Sequence, residues 1–324
     1  MDIYVKKAII HQFRPDDTDL YLADKFLNIT PKIEEYLRKK IERVYSDEAR
    51  TGIFEEDNPF LEMISDDLLE TSVAVANRWK EEFVVSENQK TNDLVFVQFS
   101  KEGVEHFAFL RIALRETLTH LGGEVDNPIK LTQNNLPGFG TGADEALVIN
   151  LQSRKYHLIE KRIKYNGAFL NYFSENLLQE QPKISPKKSI KALEKTAQKI
   201  AESFNTDDFQ FQSKVKSAIF NHIEEENKLS PEKLADDLFD DNLTARLSFI
   251  DQVKEAVPEP VTFEEIDASR QLKKFENQKL SLSNGIELIV PNNVYEDAES
   301  VEFILNENGT YSILIKNIED IQSK

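Results

Sequence analysis

The sequence contains no cysteine among its 324 residues. Disulfide bonds, thiolate catalysis and cysteine-ligated zinc or iron–sulfur sites are therefore excluded. Glycine and proline are also scarce, with ten and eleven residues, and hydrophobic residues make up 40% of the chain. This composition is typical of a folded globular protein and not of a disordered or fibrous one. The length suggests about two domains.

Long apolar runs are missing as well. No apolar stretch approaches the roughly 20 residues that a membrane helix needs. Charged residues interrupt the apolar stretch in the N-terminal sequence MDIYVKKAIIHQFRPDDTD, which is not typical of a signal peptide. We therefore expect a cytoplasmic protein that does not enter a membrane.

Positive charge is scarce in the chain as a whole but concentrated in one segment. The formal net charge is −18, which argues against attraction of the whole surface to nucleic acid or anionic lipid. Residues 1–153 carry a net charge of −11 and residues 200–324 carry −14, whereas residues 154–199 carry +7. We call residues 154–199 the central basic block, and they are the candidate contact for an anionic partner.

The first 180 residues alternate strand-like and helix-like segments. IYVKKAIIHQF, LYLADKFL, DLVFVQFS and VEHFAFLRIAL have strand patterns, and the KEG between the last two indicates a hairpin. TPKIEEYLRKKIERVY is typical of a helix that Thr30 caps and Pro31 starts, and one or two further helices follow in NPFLEMISDDLLETSVAVANRWKEEF. A loop is expected from Gly122 to Gly142, then the strand pair EALVINL and YHLIEKRI, then a helix in GAFLNYFSENLL.

Helices are expected to dominate residues 183–257, where Ser185–Pro186 and Ser230–Pro231 mark two helix starts. In residues 258–324 the short strands GIELIVP, SVEFIL and TYSILIKNI follow, and NENG between the last two is a turn signal. We predict an α+β fold with an N-terminal mixed sheet and helices over residues 1–180, a helical middle region and a small C-terminal β unit. We allow for C-terminal strands that pack on the first domain, and the apolar character of this β unit favours a homodimer.

The sequence lacks the common catalytic and metal-binding patterns. LPGFGTGAD carries Gly138, Gly140 and Gly142, but a strand-like segment follows where a phosphate-binding loop needs a helix N-terminus. A plain loop is therefore the better interpretation. The nearest approach to a nuclease metal site is Asp144 with Gln152 and Arg154, and the last two have the wrong residue types. We predict no catalytic residue, no metal and no cofactor.

Basic residues form three sets, two of which lie in the first 180 residues. The first set shares a predicted helix with glutamates, so that i,i+4 pairs such as Glu35 with Lys39 indicate an exposed, salt-bridged surface. The second set belongs to the second strand pair, where alternation places Arg162 and Lys164 on one face. We expect Arg154 to join Arg162.

The third set lies in KISPKKSIKALEKTAQKI. At about 100° per residue, four of its lysines fall in one narrow arc of a helix opposite an apolar face, and Lys187 lies at the edge of that arc. We call these residues the lysine stripe: Lys187, Lys188, Lys191, Lys195 and Lys199. Lysines at i,i+4 repel each other by roughly 0.2–0.5 kcal/mol per pair, so the stripe faces either acidic surface of the same protein or an anionic partner. Both interpretations stay open.

Several segments in their order carry a resemblance to a known family. They are AIIHQF, LNITPKIEEYLRKKIERVYSDEARTGIF, DLVFVQFS with VEHFAFLRIAL, ALVINL with YHLIEKRIKYNGAFLNYF, and VTFEEI. In these segments, and over essentially its full length, the chain resembles the 37-kDa nucleoid-associated protein family of bacteria (NdpA-like). The resemblance implies a protein that localises with the bacterial chromosome, and it brings no catalytic residues. NNLPGFGTG is longer and richer in glycine than the family pattern, which weakens the idea of a shared nucleotide site there.

These observations lead to one main hypothesis and two alternatives. The main hypothesis is a non-enzymatic nucleoid-associated protein that contacts the DNA backbone, because lysines without interleaved aromatic residues suit phosphate better than bases. The DNA-binding candidates are Arg154, Arg162, Lys164, Lys187, Lys188, Lys191, Lys195 and Lys199. One alternative is a protein-interaction adaptor that a DNA-bound partner recruits to the nucleoid. The other is a metal-dependent nuclease or phage-defence component.

Overall fold

The computed structural model describes residues 1–16, 19–83, 90–120, 129–204, 209–263 and 265–322. They form two compact units, residues 1–185 and residues 186–324. Each unit has its own hydrophobic core, and the α+β class is confirmed. The finer division predicted from the sequence, with boundaries near residues 180 and 257, stays a prediction.

The first unit contains strands β1 to β11 and helices α1 to α3. The strands are Ile3–Arg14, Asp19–Tyr21, Arg50–Ile53, Asn92–Lys101, Val104–Ala113, Arg115–His120, Ile129–Asn135, Glu145–Asn150, Lys155–Ile159, Ile163–Tyr165 and Ala168–Leu170. The helices are Pro31–Glu42, Pro59–Glu62 and Leu68–Phe83, and a π-helical turn spans Phe173–Leu177.

Seven strands form the main sheet, in the order β2-β1-β4-β5-β8-β9-β3. Every pair of neighbours in it is antiparallel, so the prediction of a mixed sheet is wrong in this respect. Tight turns join β4 to β5 and β8 to β9, and strands joined by such turns must be antiparallel. The predicted KEG hairpin is confirmed, with Glu102 and Gly103 at positive φ between β4 and β5.

The sheet is buried on both faces. Along β4, Leu94 and Phe96 belong to the core under α3, while Val95 and Val97 belong to the core under α1. Because successive side chains of a strand point to opposite faces, an almost continuous apolar run is what a strand between two helical layers requires.

A buried polar network lies where β5 and β8 meet. The carboxylate of Glu145 accepts hydrogen bonds from Arg111 Nε at 2.5 Å and from the Tyr172 hydroxyl. Trp79 Nε1 donates to the Tyr172 oxygen at 3.0 Å, and the backbone N–H of Lys161 donates to Glu145 at 3.2 Å. Glu145 and Arg111 are both buried, so the pair stands in a low-dielectric setting where each charge depends on the other.

Three segments of the first unit differ from the sequence predictions. Only Leu20 and Tyr21 of the predicted strand LYLADKFL lie in a strand, β2. The predicted helix in GAFLNYFSENLL consists of β11 followed by the π-helical turn. The predicted loop Gly122–Gly142 contains β7, and its residues 122–128 lie outside the described part of the chain.

Strands β6 and β7 form a separate two-stranded hairpin, which we call the arm. The arm belongs to the connection between β5 and β8, which are neighbours in the main sheet. This connection leaves the sheet at Ala113 and returns at Asp144, whose Oδ2 accepts a hydrogen bond from the Ala113 N–H at 2.9 Å. The arm therefore starts and ends at nearly the same point of the sheet.

The second unit contains helices α4 to α9 and strands β12 to β17. The helices are Pro186–Ser203, Phe209–Glu226, Pro231–Leu238, Leu243–Lys254, Glu265–Phe275 and Asn292–Tyr295. The strands are Lys228–Leu229, Val261–Thr262, Asn277–Ser281, Glu287–Pro291, Val301–Leu305 and Tyr311–Ile315. The predicted turn at NENG joins β16 to β17, with Gly309 at φ +76°. No helix in the described ranges is long and apolar enough to cross a membrane.

Candidate nucleic-acid interface

Helix α4 begins at Pro186, as its sequence predicts. Ile190, Leu193, Ala197 and Ile200 are buried in the core of the second unit. These residues recur at three- and four-residue intervals, which places them on one side of the helix. The predicted apolar face is therefore confirmed, and the remaining arc is left to polar side chains.

The five residues of the lysine stripe occupy that arc, and each of them is exposed. Lys199 Nζ donates a hydrogen bond to Gln252 Oε1 of α7 at 3.0 Å. Within the described ranges, Lys188, Lys191 and Lys195 form no ion pair, unlike the paired lysines Lys214 and Lys233 of the same unit. The stripe thus presents at least three positive charges that no described carboxylate meets at contact distance.

One half-buried carboxylate lies beside the stripe. Burial raises the pKa of Glu194, and the nearby charges of Lys216 and Lys191 lower it, with a net rise. Lys216 belongs to α5, so it adds a positive charge from a second helix. Sequence reasoning missed this residue because no pattern in the chain reveals which residues of α5 approach α4.

The three candidates of the first unit do not lie on one strand. Strand β9 ends at Ile159, so that Arg162 lies in the following connection and Lys164 in β10. Arg154 precedes the other end of β9, and the strand's five residues span roughly 17 Å. The expectation that Arg154 joins Arg162 on one strand face is therefore wrong.

Arg154 has a local role in the turn before β9. Its φ is +60°, and its carbonyl oxygen accepts a hydrogen bond from the N–H of Phe54 at 3.1 Å. Its Nη1 lies 3.9 Å from the exposed carboxylate of Glu56. Such a surface pair contributes little to stability, so the guanidinium can exchange Glu56 for another anion.

The basic set on α1 is mostly neutralised, as predicted, but one member is buried. Arg38 pairs with Glu42 and Lys39 with Glu35, both at 2.8 Å. Lys40 is fully buried, against the expectation of an exposed helix. Its ammonium donates to the carbonyl oxygens of Pro137 at 3.3 Å, Gly138 at 2.9 Å and Thr141.

This contact gives the glycine-rich loop a structural role. A phosphate-binding loop directs N–H groups at its ligand, whereas this loop directs carbonyl oxygens at a lysine of its own chain. Tyr36 strengthens the attachment, because its hydroxyl donates to Pro137 O at 3.0 Å and its ring packs edge-on against Phe139. Burial, with the nearby Arg43 and Arg115, lowers the pKa of Lys40 to about 8, so the side chain is still a cation at pH 7.

The residues considered for a nuclease site do not come together. Asp144 pairs with Lys161 Nζ at 2.6 Å. Burial raises the pKa of Asp144, but the bonds from Lys161 and the Ala113 N–H lower it overall. Arg154 stands at the opposite end of β8 from Asp144. In the part of the chain that the structure describes, no three His, Asp or Glu side chains are grouped as metal ligands.

Comparison with known proteins gives one family match. The family model described as nucleoid-associated protein YejK matches residues 9–321 of this chain. No curated protein is similar enough to serve as a relative.

Proposed function

Because the chain belongs to the family of the nucleoid-associated protein YejK, we propose that it associates with the bacterial nucleoid by binding the phosphate backbone of DNA through α4. In this proposal the protein catalyses no reaction, resides in the cytoplasm and uses no metal or cofactor. The lysine stripe supplies the principal contacts. Arg154, Arg162 and Lys164 are secondary candidates in the first unit.

The observation that carries the proposal is the one-sided exposure of the stripe. Lys188, Lys191 and Lys195 are exposed on the face of α4 that lies opposite its buried apolar residues. Like charges at i,i+4 cost roughly 0.2–0.5 kcal/mol per pair in an isolated helix, and the described residues offer these three lysines no ion pair. An anionic partner would remove this repulsion.

The chemistry of the stripe fits a phosphate backbone better than base edges. Lysine is a flexible point charge with no planar fork for bidentate pairing, and α4 contains no aromatic residue that could stack on a base. Contacts of this kind are independent of sequence and are weakened by salt, because each neutralised phosphate releases counterions. The slope of log K against log salt therefore measures the number of phosphate contacts.

The test is a salt titration of the affinity for duplex DNA, measured by fluorescence anisotropy. If four stripe lysines each neutralise one phosphate, log K falls with log salt at a slope of about −3.6. Replacing Lys188, Lys191, Lys195 and Lys199 with glutamine should bring the slope close to zero if the stripe makes all the contacts. The matched control replaces four exposed lysines elsewhere, namely Lys25, Lys32, Lys90 and Lys279.

Both variants lose four positive charges, so any effect of total charge is the same in the two. The proposal expects the control to keep the wild-type slope. An unchanged slope in the stripe variant, or an equal loss in the control, would remove α4 from DNA binding.

Incubation of the protein with plasmid and Mg²⁺ or Mn²⁺ tests the non-enzymatic part of the proposal, which a nicked or degraded plasmid would contradict.

A second candidate function has an observation of its own. The C-terminal hairpin of β16 and β17 exposes Leu305, Tyr311, Leu314 and Ile315, and large exposed apolar patches often mark protein interaction sites. Asp297 and Glu299 precede β16 and Glu302 lies within it, so acidic residues are near the patch in the chain. An adaptor that binds a basic, DNA-associated protein would use such a surface. It would shift no DNA by itself at low salt, yet retain its partner after nuclease treatment.

A further inference from the structure

The glycine-rich loop, residues 136–144, has an outer side that its contact with Lys40 does not use. Three of its carbonyl oxygens accept hydrogen bonds from the buried Lys40 ammonium. In a trans peptide unit the N–H points in nearly the opposite direction to the C=O, and the described residues contain no cis peptide bond. The N–H groups of the same three peptide units, which belong to Gly138, Phe139 and Gly142, therefore point away from the ammonium.

These outward N–H groups are open to a ligand. Within the described residues, none of the three donates a hydrogen bond. Gly138 and Phe139 are exposed, and Gly142 is half-buried. A Cβ added at Gly138 or Gly140 would have no described atom within 4 Å, so no side chain covers this side of the loop there. Neighbouring backbone N–H groups that point outward from a turn are a common anion-binding arrangement.

Two exposed arginines flank the loop, one near each end. Arg115 of β6 is the cross-strand partner of Asn135, which directly precedes the loop. Arg43, which caps the C-terminus of α1, has its Cδ 3.8 Å from the place that a Cβ of Gly142 would occupy. Neither guanidinium forms an ion pair or a hydrogen bond with another described residue, whereas several other arginines of this unit pair with a carboxylate. Both arginines are thus able to take an external anion.

Positive charge is concentrated around the loop. Burial, and then the charges of Arg43 and Arg115, lower the pKa of Lys40 to about 8, which means that three cations lie close to one another. The carboxylate of Asp144 acts on this pKa in the opposite direction, but it is already bound to Lys161 Nζ at 2.6 Å. An anion between the two arginines would offset the repulsion among these cations.

We propose that the outer side of the glycine-rich loop, together with Arg43 and Arg115, is a binding site for a phosphate group. A guanidinium presents a planar fork that pairs with two phosphate oxygens, and backbone N–H groups are the other donors that phosphate sites use. The Lys40 ammonium holds the carbonyl oxygens inward, which keeps the N–H groups turned outward. The phosphate belongs either to a small phosphate compound or to the DNA backbone, and the experiment separates these two sources.

This site goes beyond the proposed contact of α4 with DNA, because it lies in the first unit and uses no residue of α4. The stripe variant should therefore bind inorganic phosphate as well as the wild type does. A failure of the lysine stripe in the DNA titration leaves the phosphate site intact, and a failure of the phosphate site leaves the stripe intact.

The first test is isothermal titration calorimetry of the full chain with inorganic phosphate, at an ionic strength held constant with chloride. The double variant Arg43→Gln with Arg115→Gln should bind phosphate about 100-fold more weakly, and each single variant about 10-fold, because each change removes a charge-assisted hydrogen bond. The matched control, Arg14→Gln with Lys25→Gln, removes two exposed positive charges from the same unit and should bind like the wild type.

The second test repeats the salt titration of duplex DNA binding with the same proteins. If the DNA backbone supplies the phosphate, the slope of log K against log salt should be shallower in the double variant than in the control, by about 0.9 for each phosphate contact. If a small phosphate compound is the source, the two slopes should be equal and the proteins should differ only in the calorimetry.

The proposal is overturned if the double variant and the control behave alike in both titrations. It is also overturned if the wild type shows neither phosphate binding nor a slope steeper than that of the double variant. All four replaced side chains are exposed, so urea unfolding of both variants should match the wild type, which excludes misfolding as the cause of lost binding.

Discussion

Replacing Glu145 with glutamine should strongly destabilise the first unit, although the side chain keeps its shape. Glu145 is fully buried and accepts hydrogen bonds from Arg111, Tyr172 and the backbone of Lys161. Glutamine removes the negative charge and leaves the buried Arg111 without a carboxylate. Breaking a buried ion pair in this way costs about 3–5 kcal/mol, which is a large part of the 5–15 kcal/mol that typically separates folded from unfolded protein.

Urea unfolding followed by tryptophan fluorescence measures this effect. Trp79 is the only tryptophan of the chain, and it donates a hydrogen bond to Tyr172 within the same network. Its fluorescence therefore reports the unfolding of the first unit, whatever the second unit does. The control is Glu35→Gln, the same chemical change in an exposed i,i+4 pair with Lys39, which should leave the free energy of unfolding nearly unchanged because solvent screens such a pair.

A double-mutant cycle separates the lost pair from the stranded charge. Replacing Arg111 with methionine in the Glu145→Gln background removes the unpaired guanidinium and fills its space with an apolar side chain. We expect the double variant to be more stable than Glu145→Gln alone, with a coupling energy of at least about 1 kcal/mol. Additive effects, or a Glu145→Gln protein as stable as the wild type, would refute the reasoning.

Two further predictions concern other positions of the main sheet. Burial lowers the pKa of His11 to about 4 from its ordinary 6.5, and its Nδ1 accepts a hydrogen bond from the N–H of Ala23, so the folded state holds the ring neutral. As pH falls from 6.5 towards 4 the unfolded chain takes up the proton first, so the free energy of unfolding should drop by about 2 kcal/mol between pH 7 and pH 5. Urea unfolding at the two pH values should show a drop smaller by that amount in a His11→Gln variant. Equal drops in the two proteins would contradict the assignment. A Cβ on Gly52 would overlap the ring of Tyr156 across the β3–β9 pair, so Gly52→Ala should lower the free energy of unfolding by roughly 1–3 kcal/mol in the same assay. The control Gly140→Ala adds its Cβ in open space and should cost little. Similar losses of stability at both sites would contradict this account.

The sequence predicts features that depend on local patterns. The apolar face of α4 follows from the spacing of Ile190, Leu193 and Ala197, and the structure buries all three. The start of α4 at Pro186 follows from the fixed φ of proline. Such features need no knowledge of distant partners, and for that reason the spacing of the lysines alone is enough to place the lysine stripe on one face of the helix.

Features that depend on distant partners could not be predicted. YHLIEKRI has the composition of one continuous strand, yet β9 stops before Glu160. The carboxylate of Glu160 pairs with Arg50 and accepts hydrogen bonds from the N–H and hydroxyl of Ser174, both at 3.0 Å. Because both partners lie outside the strand pair, and Arg50 is 110 residues away, no local pattern indicates that the strand ends here. The predicted alignment of Arg154 with Arg162 is wrong for this reason.

Lys40 and β7 show the same limitation in different forms. Lys40 lies among charged residues of α1 and looks exposed, but the carbonyl oxygens that surround it come from residues about 100 positions later. KLTQNN has no apolar alternation, so its pattern predicts a loop. It forms a strand because β6 pairs with it and hydroxyls meet across the pair, as Thr117 and Thr132 do.

The β5–β8 connection leaves the sheet at Ala113 and returns at Asp144, and these two residues are hydrogen-bonded to each other. The stability of the sheet therefore depends little on the length of the arm. The cost of closing a flexible connection grows only with the logarithm of its length, by about 0.6 kcal/mol per doubling. The strands on either side already pair from His106 with Asn150 to Arg111 with Glu145, independently of what the connection contains. An arm of different reach can therefore be inserted at this point without changing the scaffold.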